Sequence, residues 1–127
     1  MQSKRKLKVG STILTIGYIG LSTVSFVLAK ETDLTTANGR HLLAGALANG
    51  AFCFSQIMIT NFALRKGEKW AWWANLVPAI GYGLTILLTD AFHVSKDKLF
   101  ITLAPQIGGM IILGIGLSIA AGPVFKK

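Results

Sequence analysis

Leu64-Arg65-Lys66-Gly67-Glu68-Lys69-Trp70-Ala71-Trp72-Trp73 is a short basic connection between two long apolar runs. The run before it, about residues 41–64, carries no charged residue, and the run after it, about 71–91, carries only Asp90. Each supplies the roughly 20 apolar residues that cross a hydrocarbon core of about 30 Å. Lys and Arg beside a span favour the cytoplasmic side, and indoles favour the interface, where an apolar body and one N–H are both satisfied. The connection therefore reads as a cytoplasmic turn with a tryptophan belt. Gly67 is placed to cap the helix before it, and the neighbouring cations suit that helix's C-terminus.

Outward from this turn, two more apolar runs appear, about 9–29 and 99–121. With 52% hydrophobic and 14% charged residues, the chain is too apolar for an ordinary soluble domain of 127 residues. The sequence predicts an all-α membrane protein, a single domain over 1–127, built as a four-helix transmembrane bundle. The spans use nearly all of it, so function must reside in the bundle, its outer loops or its cytoplasmic rim.

The charges orient the bundle. Lys4, Arg5, Lys6, Lys8, Arg65, Lys66, Lys69, Lys126 and Lys127 share one side with Glu68, a balance of +8. Lys30, Arg40, Lys96 and Lys98 face Glu31, Asp33, Asp90 and Asp97 on the other, a balance of zero. The positive-inside rule then puts both termini in the cytoplasm. A multi-pass protein of a bacterial inner membrane is expected. Its partners would be the bilayer and, at the cytoplasmic face, anionic lipids. The cations flank spans and do not form a patch on a folded domain, so nucleic acid is not an expected partner. A basic start, an apolar run and Val27-Leu28-Ala29 loosely fit a signal peptide. A run of 21 residues exceeds the usual apolar region of 7–15, which favours a retained span.

Each span carries a polar or small stripe at steps of three and four, which keeps it on one helix face. These stripes should turn away from lipid. Small residues let helices approach, and Ser, Thr, Asn and Gln bond across them. The same stripes could line a pocket. His41, Asn49, Gln56, Tyr82 and Gln106 are the candidate ligand-binding residues, with Asn49 and Gln106 at a common depth in the outer half, just below Asp90 and the two histidines. Asp90 and His93, spaced i, i+3, are the candidate acid and base of a membrane enzyme. Their default role is an ion pair, Asp90 with His93 or Arg40, tethering helix ends. A metal site from Asp90, His93 and His41 is the lesser alternative, and no metal or cofactor is expected. Cys53 stands alone, so neither an intramolecular disulfide nor a cysteine-based metal site can form. No acidic or basic residue lies at mid-membrane, where ion-coupled transporters place theirs.

Pro78 and Pro105 should kink the third and fourth spans, Gly122-Pro123 should end the fourth, and Asn38-Gly39 should mark a turn. Ile16-Gly17-Tyr18-Ile19-Gly20-Leu21 echoes Ile80-Gly81-Tyr82-Gly83-Leu84 at an offset of 64, as two tandem helical hairpins would. Residues 64–73 resemble a loop of many small, uncharacterised bacterial four-span membrane proteins. That resemblance implies the same fold and an inner-membrane setting, and it carries over no site residue. The leading expectation is a small integral membrane protein that binds a lipid or other amphipathic molecule in an outward-facing polar pocket, or acts as a membrane subunit. A membrane enzyme and a structural, oligomerising protein are the alternatives; Gly-rich span four and Ala46-x-x-x-Gly50 suit close helix contacts.

Overall fold

The computed structural model describes residues 2–30, 33–93 and 96–126, without the side chains of Leu28, Ile86, Thr89, Asp90, Ala91, His93, Lys98 and Thr102. Its elements are α1 (Gln2–Lys30), α2 (Ala37–Phe62), α3 (Lys69–His93) and α4 (Lys96–Phe125), with a short 3-10 segment, Leu64–Lys66, after α2. Among the described residues, three helical stretches are long and apolar enough to cross a membrane: Gln2–Val27, Ala37–Lys66 and Leu99–Phe125. At 1.5 Å per residue even α3 is about 37 Å long, beyond the roughly 30 Å of a hydrocarbon core.

At its N-terminus α2 extends past its apolar run because it is capped there. Thr36 is the N-cap of α2 and accepts a hydrogen bond from the Gly39 N–H at 3.0 Å. Asn38 and Gly39 thus belong to the first turn of α2; the chain reverses earlier, at Asp33–Thr36. Gly39 is required there, since a Cβ would collide with the Asp33 carbonyl. At the other end Gly67 takes φ 81°, ψ 23° and donates its N–H to Leu64, as the sequence predicted of a cap. Gly122-Pro123 does not end α4, which runs on to Phe125. A proline in a last turn forfeits one backbone bond, and Val124, fully buried, holds the segment against the core.

Sequential helices run antiparallel. Ser22 of α1 lies by Gly50 of α2, and Thr12 by Arg65. Thr60 of α2 meets Asn75 of α3, and Phe52 meets Tyr82. Trp72 of α3 reaches Leu117 of α4, and Gly83 meets Met110. The last helix closes on the first along the most extensive seam of the bundle. There a Cβ on Gly10 would sit 2.8 Å from the Gly116 carbonyl, and one on Gly17 would sit 2.9 Å from Leu113. Leu14 covers Gly116 and Leu21 covers Gly109. Glycines opposite leucines, seven residues apart on each helix, bring the two backbones together.

The core is small and the outside is apolar. Leu7, Leu14, Tyr18, Leu64, Leu117 and Val124 are buried, while Ile16, Phe54, Val77, Phe92, Phe100 and Ile111 are more than half exposed. Such a continuous apolar exterior suits lipid and would be an aggregation hazard in water. The internal echo does not extend to packing, for Gly17 is pressed under α4 whereas Gly81 has open space around it.

Candidate functional site

The polar stripes do turn inward, and most are occupied with one another. Ser11, Asn49, Gln56, Thr60 and Asn75 are buried. The Asn75 carbonyl accepts from the Tyr18 hydroxyl at 3.0 Å and from the Thr60 hydroxyl at 2.9 Å, while its amide donates to Ala71. One asparagine thereby ties α1, α2 and α3. Toward the termini, Asn61 donates to Thr15 and Arg65 to Thr12, extending the α1–α2 contact. Trp72 departs from the belt expected of the three tryptophans. Its indole N–H bonds the Leu117 carbonyl at 2.9 Å and its ring meets Phe125 edge-on, whereas Trp70 and Trp73 are exposed.

Beyond this network lies a partly open cavity of about 60 Å³ that all four helices wall. Tyr18, Leu21 and Ser25 face it from α1, Asn49, Phe52 and Cys53 from α2, Ala79, Tyr82 and Gly83 from α3, and Gln106, Met110 and Leu113 from α4. Phe52 stacks against Tyr82 with centroids 4.9 Å apart and meets Tyr18 edge-on at 6.4 Å. At roughly 10–15 Å³ per water centre, the space holds about four to six waters, or a group of similar bulk. Its wall is mostly apolar, unlike the polar pocket the sequence led us to expect.

Three of the five candidate ligand-binding residues, Asn49, Tyr82 and Gln106, share this cavity. Asn49 is also a helix-to-helix link, since its amide donates to Ser25 and to the Leu21 carbonyl and its own carbonyl accepts from Cys53. Among the described residues no group partners the Tyr82 hydroxyl. Gln56 is buried outside the cavity, with its carbonyl unpartnered among the described residues. His41 is exposed, about 12 Å up the helix from Asn49 at 1.5 Å per residue. The side chains of Asp90 and His93 lie outside the described residues. Arg40, a possible partner of Asp90, donates to the carbonyls of Leu34 and Thr35.

Asn49, Tyr82 and Met110 sit close to the midpoints of α2, α3 and α4, so the cavity is at the waist of the bundle. Sequence reading missed Phe52, Met110 and Leu113 as wall residues. No signal could have marked them, because an apolar side chain in an apolar helix looks the same whether it faces lipid, core or cavity. Outside the membrane-spanning segments, Asp33 is held below its ordinary pKa of 3.8 by hydrogen bonds from the hydroxyl and N–H of Thr35. Comparison of the chain with protein-family models, with curated proteins and with solved structures finds no match, so the site stands on its own chemistry.

Proposed function

We propose that this chain is a four-span integral membrane protein that holds an amphipathic, membrane-soluble molecule in its waist cavity. Three helices meet the requirements of a span, and α3 packs antiparallel within the same bundle, so the slab that surrounds its neighbours surrounds it as well. From Trp70 to Thr89 it has no charged residue. The basic residues at 4–8, 65–69 and 126 fall at the end of the bundle where α1 begins and α4 ends, which orients both termini toward the cytoplasm and anionic lipid.

The observation that carries the binding reading is the cavity itself. Four helices converge on a space they leave unfilled, with aromatic walls and a few polar atoms, the usual make-up of a small-molecule site. Native mass spectrometry after gentle extraction tests it. The wild type should retain a small molecule, and Ala79→Phe, which fills the cavity from α3, should release it while far-ultraviolet dichroism stays helical. Val24 also faces the cavity from α1, so Val24→Phe fills the same space from another helix and guards against a folding defect peculiar to one variant. Equal retention by the wild type and both filled variants would refute the reading.

A second reading, a homo-oligomer, has one observation in its favour. Gly114, Ser118 and Gly122 form an exposed small-residue face on α4, opposite the one that packs on α1. Crosslinking in native membranes, repeated with Gly114→Leu, distinguishes it from a monomer.

A further inference from the structure

We infer that the waist cavity selects uncharged molecules, and that its ligand class is a neutral amphipath presenting a small polar head group. The inference rests on the cavity being the binding site. Among the described residues, none that walls it is a Lys, Arg, His, Asp or Glu. An ion placed there would find no counter-charge among the described residues. On insertion scales, a lone charge at the centre of a membrane is disfavoured by about a hundredfold.

A neutral head group meets no such barrier. The Tyr82 hydroxyl offers a donor and an acceptor, and Gln106 lies across the cavity on α4. Phe52 and Tyr18 supply flat apolar walls. A volume of about 60 Å³ limits the occupant to a head group with the bulk of about four to six waters. The remainder of a longer molecule would stay in lipid. A phospholipid phosphate, a carboxylate or an ammonium head is excluded by charge, whereas an alcohol, a ketone, an ester or a ring with carbonyls is admitted.

The lone thiol makes the inference testable without knowing the ligand. Cys53 lies in the cavity wall, and the full chain contains no other cysteine. Its thiolate can attack the sulfenyl sulfur of a methanethiosulfonate. A mixed disulfide forms, methanesulfinate leaves, and the thiol proton passes to buffer. Three reagents share this chemistry, are close in size and differ in charge: 3,3-dimethylbutyl, 2-sulfonatoethyl and 2-(trimethylammonio)ethyl methanethiosulfonate. Rates on the purified full chain, exchanged through neutral detergent, are normalised to each reagent's rate with free cysteine.

The neutral reagent should modify Cys53, and both charged ones should be slower by about a hundredfold. Cys53 also borders a groove between α1 and α2 that Gly50, Ala51 and Phe54 line. Ala79→Phe should therefore slow the neutral reagent, and Ala51→Phe, on the groove side, should not. Equal normalised rates for all three reagents would overturn charge selection and leave the binding reading intact. Slowing by Ala51→Phe instead of Ala79→Phe would overturn it as well, by showing that the reagents enter from the groove. If none reacts with the folded protein while all react after unfolding, no membrane-soluble molecule reaches the cavity, and the binding reading falls too.

Discussion

The α1–α4 seam and the α2–α3 seam are closed by opposite means. Between α1 and α4, glycines at positions 10, 17, 109 and 116 admit a leucine or the opposing backbone, and no room is left. Between α2 and α3 the contact is shorter. It is made by the hydrogen bond of Thr60 to Asn75 near the basic turn and by the stacking of Phe52 on Tyr82. Beside that stacked pair the bundle opens into the cavity. In a membrane the hydrophobic effect does not drive helices together, so each seam must find another source of attraction. Close van der Waals contact serves one and polar bonding the other. The second leaves space, and space is what a ligand needs.

The contrast can be broken most forcefully at Gly10. Its missing Cβ faces the Gly116 backbone and Ala120, which cannot swing aside as a side chain tip can. Gly10→Leu should lower unfolding stability in detergent by about 3 kcal/mol. Gly81→Ala, with nothing within 4 Å of the new Cβ, should be neutral or slightly stabilising. Equal losses for both would mean that close packing does not hold the first seam.

Asn75→Leu attacks the second seam. It leaves two fully buried hydroxyls, on Tyr18 and Thr60, without their acceptor. A loss of about 1.5 kcal/mol is expected, at the upper end of the range for polar contacts in membranes and well below the Gly10 effect. Chemical denaturation monitored by tryptophan emission ranks the two variants directly. Trp72→Phe keeps the ring against Phe125 but removes the bond to Leu117, and should cost only about 0.6 kcal/mol.

The smallest effect is local and depends on pH. Because the Asp33 carboxylate is stabilised in the folded loop, its contribution is complete above the ordinary value of 3.8 and is lost as the pH falls through the lower folded value. Hydrogen exchange at the Thr35 amide, corrected for intrinsic rates, should show protection at pH 6 and its loss once the pH has fallen through the lowered folded value. The helices themselves should not respond. A change in overall helicity over that range would place Asp33 in a larger role than capping one loop.

Much of the architecture was legible before any coordinates. The basic turn at 64–73, the four apolar runs and the Gly67 cap are local features, and local rules read them. The inward polar stripes also followed from spacing alone. Helix ends were read less well: Asn38-Gly39 and Gly122-Pro123 look like stops, yet Thr36 capping and the burial of Val124 override them. Of the candidate ligand residues, Asn49, Tyr82 and Gln106 converge, while His41 and Gln56 do not.

What sequence could not convey is which apolar side chain meets which neighbour. Composition and charge settle that three stretches are long and apolar enough to cross a membrane, because transfer from water depends on a helix one segment at a time. Whether Phe52 and Met110 face lipid or a cavity depends on how four such helices rotate against one another. That rotation is decided by pairings far apart in the chain, Gly10 with Gly116 and Tyr18 with Asn75, whose energies exist only once the helices have met.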